Sequence, residues 1–188
     1  MNVQEATTRR LPDLKERHLP ENCRETINTI LKETYGYEQF RNLEIYDDLS
    51  KGKEKLCISQ GQLIENVILE AEKAWKGETQ VDNILLTAPT GSGKSLLFQL
   101  PAIYLGKEYN LLTIVVSPLK ALIVDQVESL QELGYMRVAY ASSDLSPEQK
   151  MEVYRQVREG EIDLFYLSPE LLLSYDIKHF VGERRIGR

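Results

Sequence analysis

The sequence predicts an α/β fold in which helices cover both faces of a parallel sheet, and two observations carry this prediction. From residue 81 onward, short apolar runs alternate with longer amphipathic segments, a pattern typical of right-handed βαβ units. Residues 111–116 are apolar at nearly every position, as expected for a strand that is covered on both faces. Together they indicate a three-layer domain with the sheet in the middle.

The individual elements of this region follow from the same periodicity. We expect strands at residues 83–87, 111–117, 137–140 and 163–167, and helices at about 94–105, 119–133 and 147–158. The last helix has a well-marked beginning, because Ser146 is a favoured N-cap, Pro147 suits the first helical position and Gln149 can return a hydrogen bond to the cap.

The first part of the chain lacks this alternation. Residues 21–34 and 60–76 each predict an amphipathic helix, with apolar side chains three and four positions apart. The stretch 35–55 between them is polar and predicts a long loop or irregular insertion. We therefore expect a helical and irregular extension over residues 1–58, followed by one incomplete α/β domain over residues 59–188.

Composition and charge narrow the function classes. The chain has 188 residues, 42% of them hydrophobic and 28% charged, as in ordinary globular proteins. Its net charge of -6 argues against binding nucleic acid mainly through a basic field, although helix N-termini and hydroxyls can still hold phosphates. No export signal or membrane-length apolar run is evident. The cytoplasm is the expected location, with Cys23 and Cys57 as free thiols.

The most informative segment is Ala-Pro-Thr-Gly-Ser-Gly-Lys-Ser at residues 88–95, between a predicted strand and a predicted helix. It matches the phosphate-binding P-loop pattern, except that Ala88 stands at the opening glycine position. Glycines let the backbone turn several N–H groups towards one anion, and the following helix adds its positive dipole end. Lys94 can then reach the β- and γ-phosphates, and Ser95 can ligate Mg²⁺. The segment predicts a nucleoside triphosphate site formed by Thr90, Gly91, Ser92, Gly93, Lys94 and Ser95.

Four segments resemble superfamily 2 helicases of the RecQ-like group. Residues 87–103 resemble motif I, residues 115–130 motif Ia and residues 164–172 motif Ib, in the family's order and spacing. Residues 35–41, Tyr-Gly-Tyr-Glu-Gln-Phe-Arg, are similar to the aromatic segment before the family's adenine-reading glutamine. The resemblance implies a partial RecA-like domain of an ATP-dependent DNA helicase that binds ATP and Mg²⁺. In that case Lys94 is the catalytic residue that stabilises charge on the transferred phosphoryl group.

Two serine–proline steps are candidate contacts with nucleic acid. Each follows a predicted strand and opens a helix, so each offers a hydroxyl and free helix N–H groups to a backbone phosphate. The resemblance implies that single-stranded DNA binds there, with RNA as an alternative because nothing in the sequence reads a 2′-hydroxyl. The serines can equally be ordinary helix caps. The implied contacts are Ser117, Pro118, Lys120, Ser142, Ser168 and Pro169.

The glutamine that would read the adenine base has two candidates. In the family it follows the aromatic segment almost directly, but here residues 42–57 intervene. The pattern resumes with Ser-Gln-Gly-Gln, which makes Gln62 the first choice and Gln60 the second. A side-chain amide suits the role because it both donates and accepts hydrogen bonds, although Gln60 can equally be a polar residue at a helix start. Tyr37 or Phe40 would stack on the base.

One feature of the family is absent from the sequence. Its members carry an Asp-Glu pair that holds the metal ion and orients the attacking water, whereas these 188 residues contain no Asp-Glu dipeptide. We therefore expect the front part of a helicase, ending before that pair, which alone binds nucleotide weakly and hydrolyses it negligibly. A fragment, a deliberately shortened chain and a split-protein half completed by a second chain are all compatible with this.

Two other function classes also fit a P-loop. A nucleotide or small-molecule kinase can be complete near this length, but for an arginine-rich lid the sequence offers only Arg184, Arg185 and Arg188. A non-catalytic nucleotide-binding module is the third class. Phosphoryl transfer to a small acceptor would favour the kinase, ATP binding that responds to nucleic acid would favour the helicase, and indifference to both would favour the module.

Overall fold

The computed structural model describes residues 16–46, 55–86, 91–174 and 186–187. Six helices and six strands lie in these ranges: α1 Glu21–Tyr35, β1 Asn42–Tyr46, β2 Lys55–Ser59, α2 Gln60–Trp75, α3 Leu96–Tyr109, β3 Leu112–Val116, α4 Lys120–Glu132, β4 Val138–Ala141, α5 Pro147–Arg158, β5 Leu164–Leu167, α6 Pro169–Ser174 and β6 Ile186–Gly187.

The central sheet has the strand order β4-β5-β3-β6 within the described residues. All its pairings are parallel, with Leu164 of β5 opposite both Val138 and Thr113, and Leu112 opposite Ile186. Strands β3, β4 and β5 coincide, to within a residue or two, with three of the predicted strands. The predicted parallel sheet is therefore confirmed.

Helices cover both faces of this sheet, as predicted. Phe165 and Leu167 of β5 pack with side chains of α5 and α6 on one face, while Leu164 and Tyr166 pack with α3 and α4 on the other. This division follows from the two-residue period of a strand. A separate apolar cluster joins α1 and α2 to α3. The predicted α/β sandwich is confirmed, and α3 contributes both to this separate cluster and to the layer that it forms with α4 on the sheet.

The strand predicted at residues 83–87 is wrong over its described part. The backbone of residues 81–86 has no regular secondary structure, and Thr87 lies outside the described residues. Ile84 is exposed and Leu85 is 92% exposed. A strand is stabilised by pairing with a neighbour. Among the described residues, β3 pairs with β5 on one side and with β6 on the other. None of the described strand pairings includes residues 81–86, so this apolar run forms no strand.

A β-hairpin occupies part of the segment that the sequence predicts to be a long loop. Strands β1 and β2 pair antiparallel, with Asn42 opposite Ser59 and Leu43 opposite Ile58. The loop prediction for residues 35–55 is wrong at β1 and at Lys55, where β2 begins, and residues 47–54 lie outside the described residues. Ile58 is buried in the cluster formed by α1, α2 and α3. The hairpin is thus held by strand pairing and by the buried side chain of Ile58. Neither the pairing nor the burial follows from the polar composition of residues 35–55.

The helix predictions agree with the structure. Helix α5 spans the predicted residues, and Ser146 and Gln149 form the predicted capping box, with N–H···O distances of 3.2 and 2.8 Å. Helix α3 runs on to Tyr109, beyond its predicted end. No helix in the described part of the chain is both long and apolar enough to cross a membrane.

An ion pair between an exposed arginine and a buried aspartate joins the residues that precede β4 and β5. Arg137 donates from Nε and Nη2 to the two carboxylate oxygens of Asp163, at 2.6 and 2.8 Å, and the Tyr135 hydroxyl donates to the same carboxylate at 3.0 Å. These hydrogen bonds raise the pKa of Arg137. A Cβ at Gly106 would lie 2.4 Å from Cγ of Asp163. Glycine at position 106 therefore lets α3 approach this pair closely.

Candidate functional site

The glycine-rich loop (residues 88–95) is described from Gly91 onward and leads into α3. Gly91 and Gly93 have φ angles of +82° and +78°, a region that favours glycine. The Leu96 N–H donates to the Gly93 carbonyl oxygen at 3.2 Å, so the chain turns tightly at the start of the helix. The positive end of the α3 dipole therefore lies at this loop. Thr90 lies outside the described residues.

The polar side chains of the loop suit a negatively charged ligand. Lys94 is exposed and Ser95 is half-buried. The buried Ser92 Oγ has no hydrogen-bond partner among the described residues. Leaving a buried hydroxyl unpaired costs about 1–3 kcal/mol, and a phosphate oxygen would satisfy it. The donors present in the loop therefore fit a phosphate group.

The two candidate glutamines point to different neighbours. Gln60 is 2% exposed, and its Nε2 donates to the carbonyl oxygen of Ser92 in the loop at 3.3 Å. The Gln62 side chain lies 3.5 Å from Nδ1 of His18. Helical geometry explains the difference, since residues two apart on a helix face different directions. The second candidate, Gln60, is therefore the one that touches the loop.

A cavity of about 210 Å³ lies beside the start of α2. Its lining includes Phe40, Gly61, Gln62 and Arg24, so it brings together the first-choice glutamine and one of the two candidate stacking aromatics. The Phe40 ring packs against the α2 backbone, because a Cβ at Gly61 would lie 2.7 Å from its Cδ2. The other aromatic, Tyr37, is not among the residues lining this cavity.

The first serine–proline step lies where β3 ends and α4 begins. The Ser117 N–H donates to the Leu167 carbonyl oxygen at 3.0 Å. Its Oγ accepts from the Leu119 N–H at 3.4 Å, which closes a turn before α4 and is not a helix cap, since Leu119 is the N-cap residue. Pro118 and Lys120 are exposed. Lys120 Nζ donates to Ser143 Oγ at 2.6 Å and to Asp144 Oδ1 at 2.7 Å. This lysine is therefore held by an acidic partner that sequence reasoning did not identify.

The other two serines of this region are buried. Ser142 is 4% exposed, and its Oγ accepts from the Asp144 N–H at 3.3 Å. Ser168 is 2% exposed, and Pro169 is half-buried at the start of α6. Both serines follow strands whose carboxyl ends meet at one edge of the sheet, where ligands of open α/β sheets bind. Because both serine side chains are buried, this edge of the sheet presents the backbone of the two turns and not the serine hydroxyls.

A buried polar network that sequence reasoning missed connects α1, α3, α4 and β5. Gln99 of α3 donates from Nε2 to Gln126 Oε1 of α4 at 3.0 Å and to the Tyr166 hydroxyl of β5 at 3.1 Å. The Tyr35 hydroxyl of α1 donates to Gln99 Oε1 at 3.3 Å. Burial raises the pKa of Tyr166 to about 12, and the hydrogen bond from Gln99 opposes that rise. The available signal was a glutamine in an otherwise apolar helix, since a buried amide needs partners.

A glycine-rich loop at the start of a helix, next to a parallel sheet covered by helices, defines a P-loop α/β domain. Residues 60–185 match the DEAD/DEAH box helicase family. Because the match spans more than half of the chain, the chain belongs to the DEAD/DEAH box helicase family.

Individual relatives place the similarity in the RecQ-like branch. The chain is 32% identical over 163 residues to the ATP-dependent DNA helicase RecQ of Synechocystis sp., an alignment covering 87% of this chain and 27% of that protein. It is 32% identical over 148 residues to RecQ of Bacillus subtilis, covering 79% of this chain and 20% of that protein. It is also 32% identical over 152 residues to ATP-dependent DNA helicase Q-like 5 of Arabidopsis thaliana, covering 81% and 13%. The chain thus spans about a quarter or less of these relatives and resembles a RecQ-like N-terminal region. These matches favour the helicase interpretation over the kinase and the binding module.

Proposed function

We propose that the chain is the nucleotide-binding part of an ATP-dependent DNA helicase, in which ATP binding is coupled to movement along single-stranded DNA. The observation that carries this proposal is the glycine-rich loop, where two left-handed glycines and an unpaired buried hydroxyl meet the start of α3. A fixed ring of donors at a helix N-terminus is the arrangement that binds phosphate without rearrangement.

Different residues of the loop would bind the phosphates and the metal ion of Mg-ATP. The Lys94 ammonium would pair with the β- and γ-phosphates and stabilise charge on the transferred phosphoryl group. The Ser95 hydroxyl would hold Mg²⁺, which when bound neutralises charge on the phosphate oxygens. The described residues contain no cluster of three or more His, Cys, Asp or Glu side chains that could hold a metal ion.

The adenine base would lie in the cavity beside the start of α2. Gln62 and Phe40 both line this space, and an amide next to an aromatic face offers hydrogen bonding and stacking together. A second RecA-like domain, on this polypeptide or on a second chain, would complete the nucleotide cleft.

Single-stranded DNA would cross the carboxyl edge of the sheet. The turn at Ser117 and Pro118 and the turn at Ser168 and Pro169 present helix starts there, and Lys120 would exchange Asp144 for a backbone phosphate. The relatives' names, ATP-dependent DNA helicase, support DNA as the ligand. The net charge of -6 is compatible with such a site because its donors are local dipoles rather than a basic field.

Fluorescence anisotropy tests this proposal with a labelled oligothymidylate titrated by the purified chain, with and without Mg-ATP. We expect binding that Mg-ATP changes, and the DNA must then change the affinity for ATP by the same factor. An oligouridylate of equal length tests the choice between DNA and RNA. Failure to bind either oligonucleotide at low salt, with or without Mg-ATP, would contradict the proposal.

A further inference from the structure

The hairpin β1–β2 is closed at its base by Gln60. The hairpin is inserted between Arg41 and Gln60, and its strands pair as far as Asn42 and Ser59. One step beyond, the Gln60 N–H donates to the Arg41 carbonyl oxygen at 2.9 Å, and the Arg41 N–H donates to Gln60 Oε1 at 3.1 Å. The side chain of Gln60 thus completes the hairpin ladder that its backbone begins.

The other end of the same amide holds the glycine-rich loop. Gln60 Nε2 donates to the Ser92 carbonyl oxygen at 3.3 Å. A Cβ at Gly93 would lie 2.5 Å from that nitrogen, so the loop backbone and the amide are in close contact. Glycine at position 93 therefore serves this contact in addition to its φ angle of +78°.

The orientation of the Gln60 amide is fixed by its two neighbours. The Arg41 N–H can only donate and the Ser92 carbonyl can only accept, so the amide oxygen must face the hairpin and the amide nitrogen must face the loop. The side chain is 2% exposed, which leaves little room for water to replace either partner. One buried side chain therefore links two segments that lie 51 residues apart, at positions 41 and 92.

We propose that Gln60 is a positioning residue that fixes the conformation of the glycine-rich loop to that of hairpin β1–β2. A change at the base of the hairpin is then transmitted to the Ser92 carbonyl and the Gly93 backbone. The inference rests on the proposed function only where nucleotide binding is concerned, because the link itself exists without nucleotide. Gln60 acts through Ser92 and Gly93 and has no contact with nucleotide in this role.

Hydrogen exchange of the nucleotide-free chain tests the link directly. Gln60→Met keeps a side chain of similar length and removes both hydrogen bonds, and Gln131→Met, at an exposed position of α4, is the matched control. We expect amides of residues 91–95 and of the hairpin base to exchange roughly three- to tenfold faster in Gln60→Met, as for the loss of one hydrogen bond. Amides of the buried strand β5 should be unchanged. Wild-type exchange at the loop, or equal acceleration throughout the chain, would overturn the proposal.

A second variant separates the two bonds. In Gln60→Glu the carboxylate still accepts from the Arg41 N–H but cannot donate to the Ser92 carbonyl. We expect faster exchange at the loop and unchanged exchange at the hairpin base. Faster exchange at the hairpin base alone would contradict the assigned orientation of the amide and, with it, the link to the loop.

Mg-ATP provides the last arm of the test. If wild type binds Mg-ATP, binding should slow exchange in β1 and β2, and this protection should be lost in Gln60→Met. Hairpin protection that persists in Gln60→Met would overturn the link. Absence of any Mg-ATP binding to wild type would instead contradict the proposed function, and the nucleotide-free comparison would still decide the role of Gln60.

Discussion

Replacing Gln99 by leucine should destabilise the fold more than most single substitutions. Gln99 holds together α1, α3, α4 and β5 through one buried amide, with partners Tyr35, Gln126 and Tyr166. Gln99→Leu places an apolar side chain of similar size in the same space and removes all three hydrogen bonds. Tyr166 is the critical partner, because it is only 1% exposed and its hydroxyl cannot turn to water.

The size of the effect follows from the burial of each partner. A stranded buried hydroxyl at Tyr166 costs about 1–3 kcal/mol, and the bonds to half-buried Tyr35 and Gln126 contribute about 0.5–1 kcal/mol each. Added apolar burial by leucine offsets part of this, which leaves about 2–4 kcal/mol. With a urea m value of about 2 kcal/mol/M, the middle of the usual range, the unfolding midpoint should fall by about 1–2 M.

Urea unfolding followed by circular dichroism measures this, and a double-mutant cycle with Tyr166→Phe identifies its cause. Tyr166→Phe should destabilise wild type by about 1 kcal/mol. In the Gln99→Leu background the same change should be neutral or stabilising, because it removes the stranded hydroxyl. Equal destabilisation by Tyr166→Phe in both backgrounds would refute the reasoning, as would a change of under about 0.5 kcal/mol for Gln99→Leu.

Three further predictions concern charged groups. Arg137→Met leaves the buried Asp163 carboxylate without its guanidinium, and since Arg137 is itself partly exposed the loss in urea unfolding should be about 2–3 kcal/mol. Glu70 is buried. Burial raises its pKa, but hydrogen bonds from the Asp82 N–H, Lys73 and Arg17 lower it by more, so the pKa lies below the ordinary value of a glutamate. Its contribution to stability is therefore present above pH 4.5 and lost as the pH falls through the lowered pKa, so Glu70→Gln should flatten the acid limb of a stability-versus-pH curve. Asp144→Asn frees Lys120, so single-stranded DNA should bind more tightly, with a log K against log salt slope steeper by up to about 1; an unchanged slope would contradict a phosphate contact at this lysine.

The sheet and its helices could be predicted because their signals are local. The nearly continuous apolar run of β3 and the cap of α5 at Ser146 each depend on a few neighbouring residues. Strand pairing is not local, and the two errors of fold prediction are both errors of pairing. Residues 83–86 form an apolar run that enters none of the described strand pairings, whereas β1, Asn-Leu-Glu-Ile-Tyr, lies in a mainly polar stretch and pairs with β2.

In the candidate site, too, local features could be predicted and contacts between distant residues could not. The glycine-rich loop is recognisable from eight consecutive residues, and its left-handed glycines at positions 91 and 93 follow from that pattern. The Lys120–Asp144 pair and the Gln60–Ser92 bond join residues distant in sequence. No periodicity or spacing encodes such contacts, so they become visible only once the chain is folded.

Isothermal titration of Mg-ATP into wild type, Lys94→Ala and the exposed control Lys107→Ala tests the central claim, a phosphate-binding loop at residues 88–95. Circular dichroism establishes first that the three proteins are folded alike. Loss of a charge-assisted contact of about 1.5–3 kcal/mol should weaken binding about 10- to 100-fold in Lys94→Ala, and Lys107→Ala should bind as wild type does. Equal affinities for all three proteins, or a folded wild type that binds no Mg-ATP, would contradict the account.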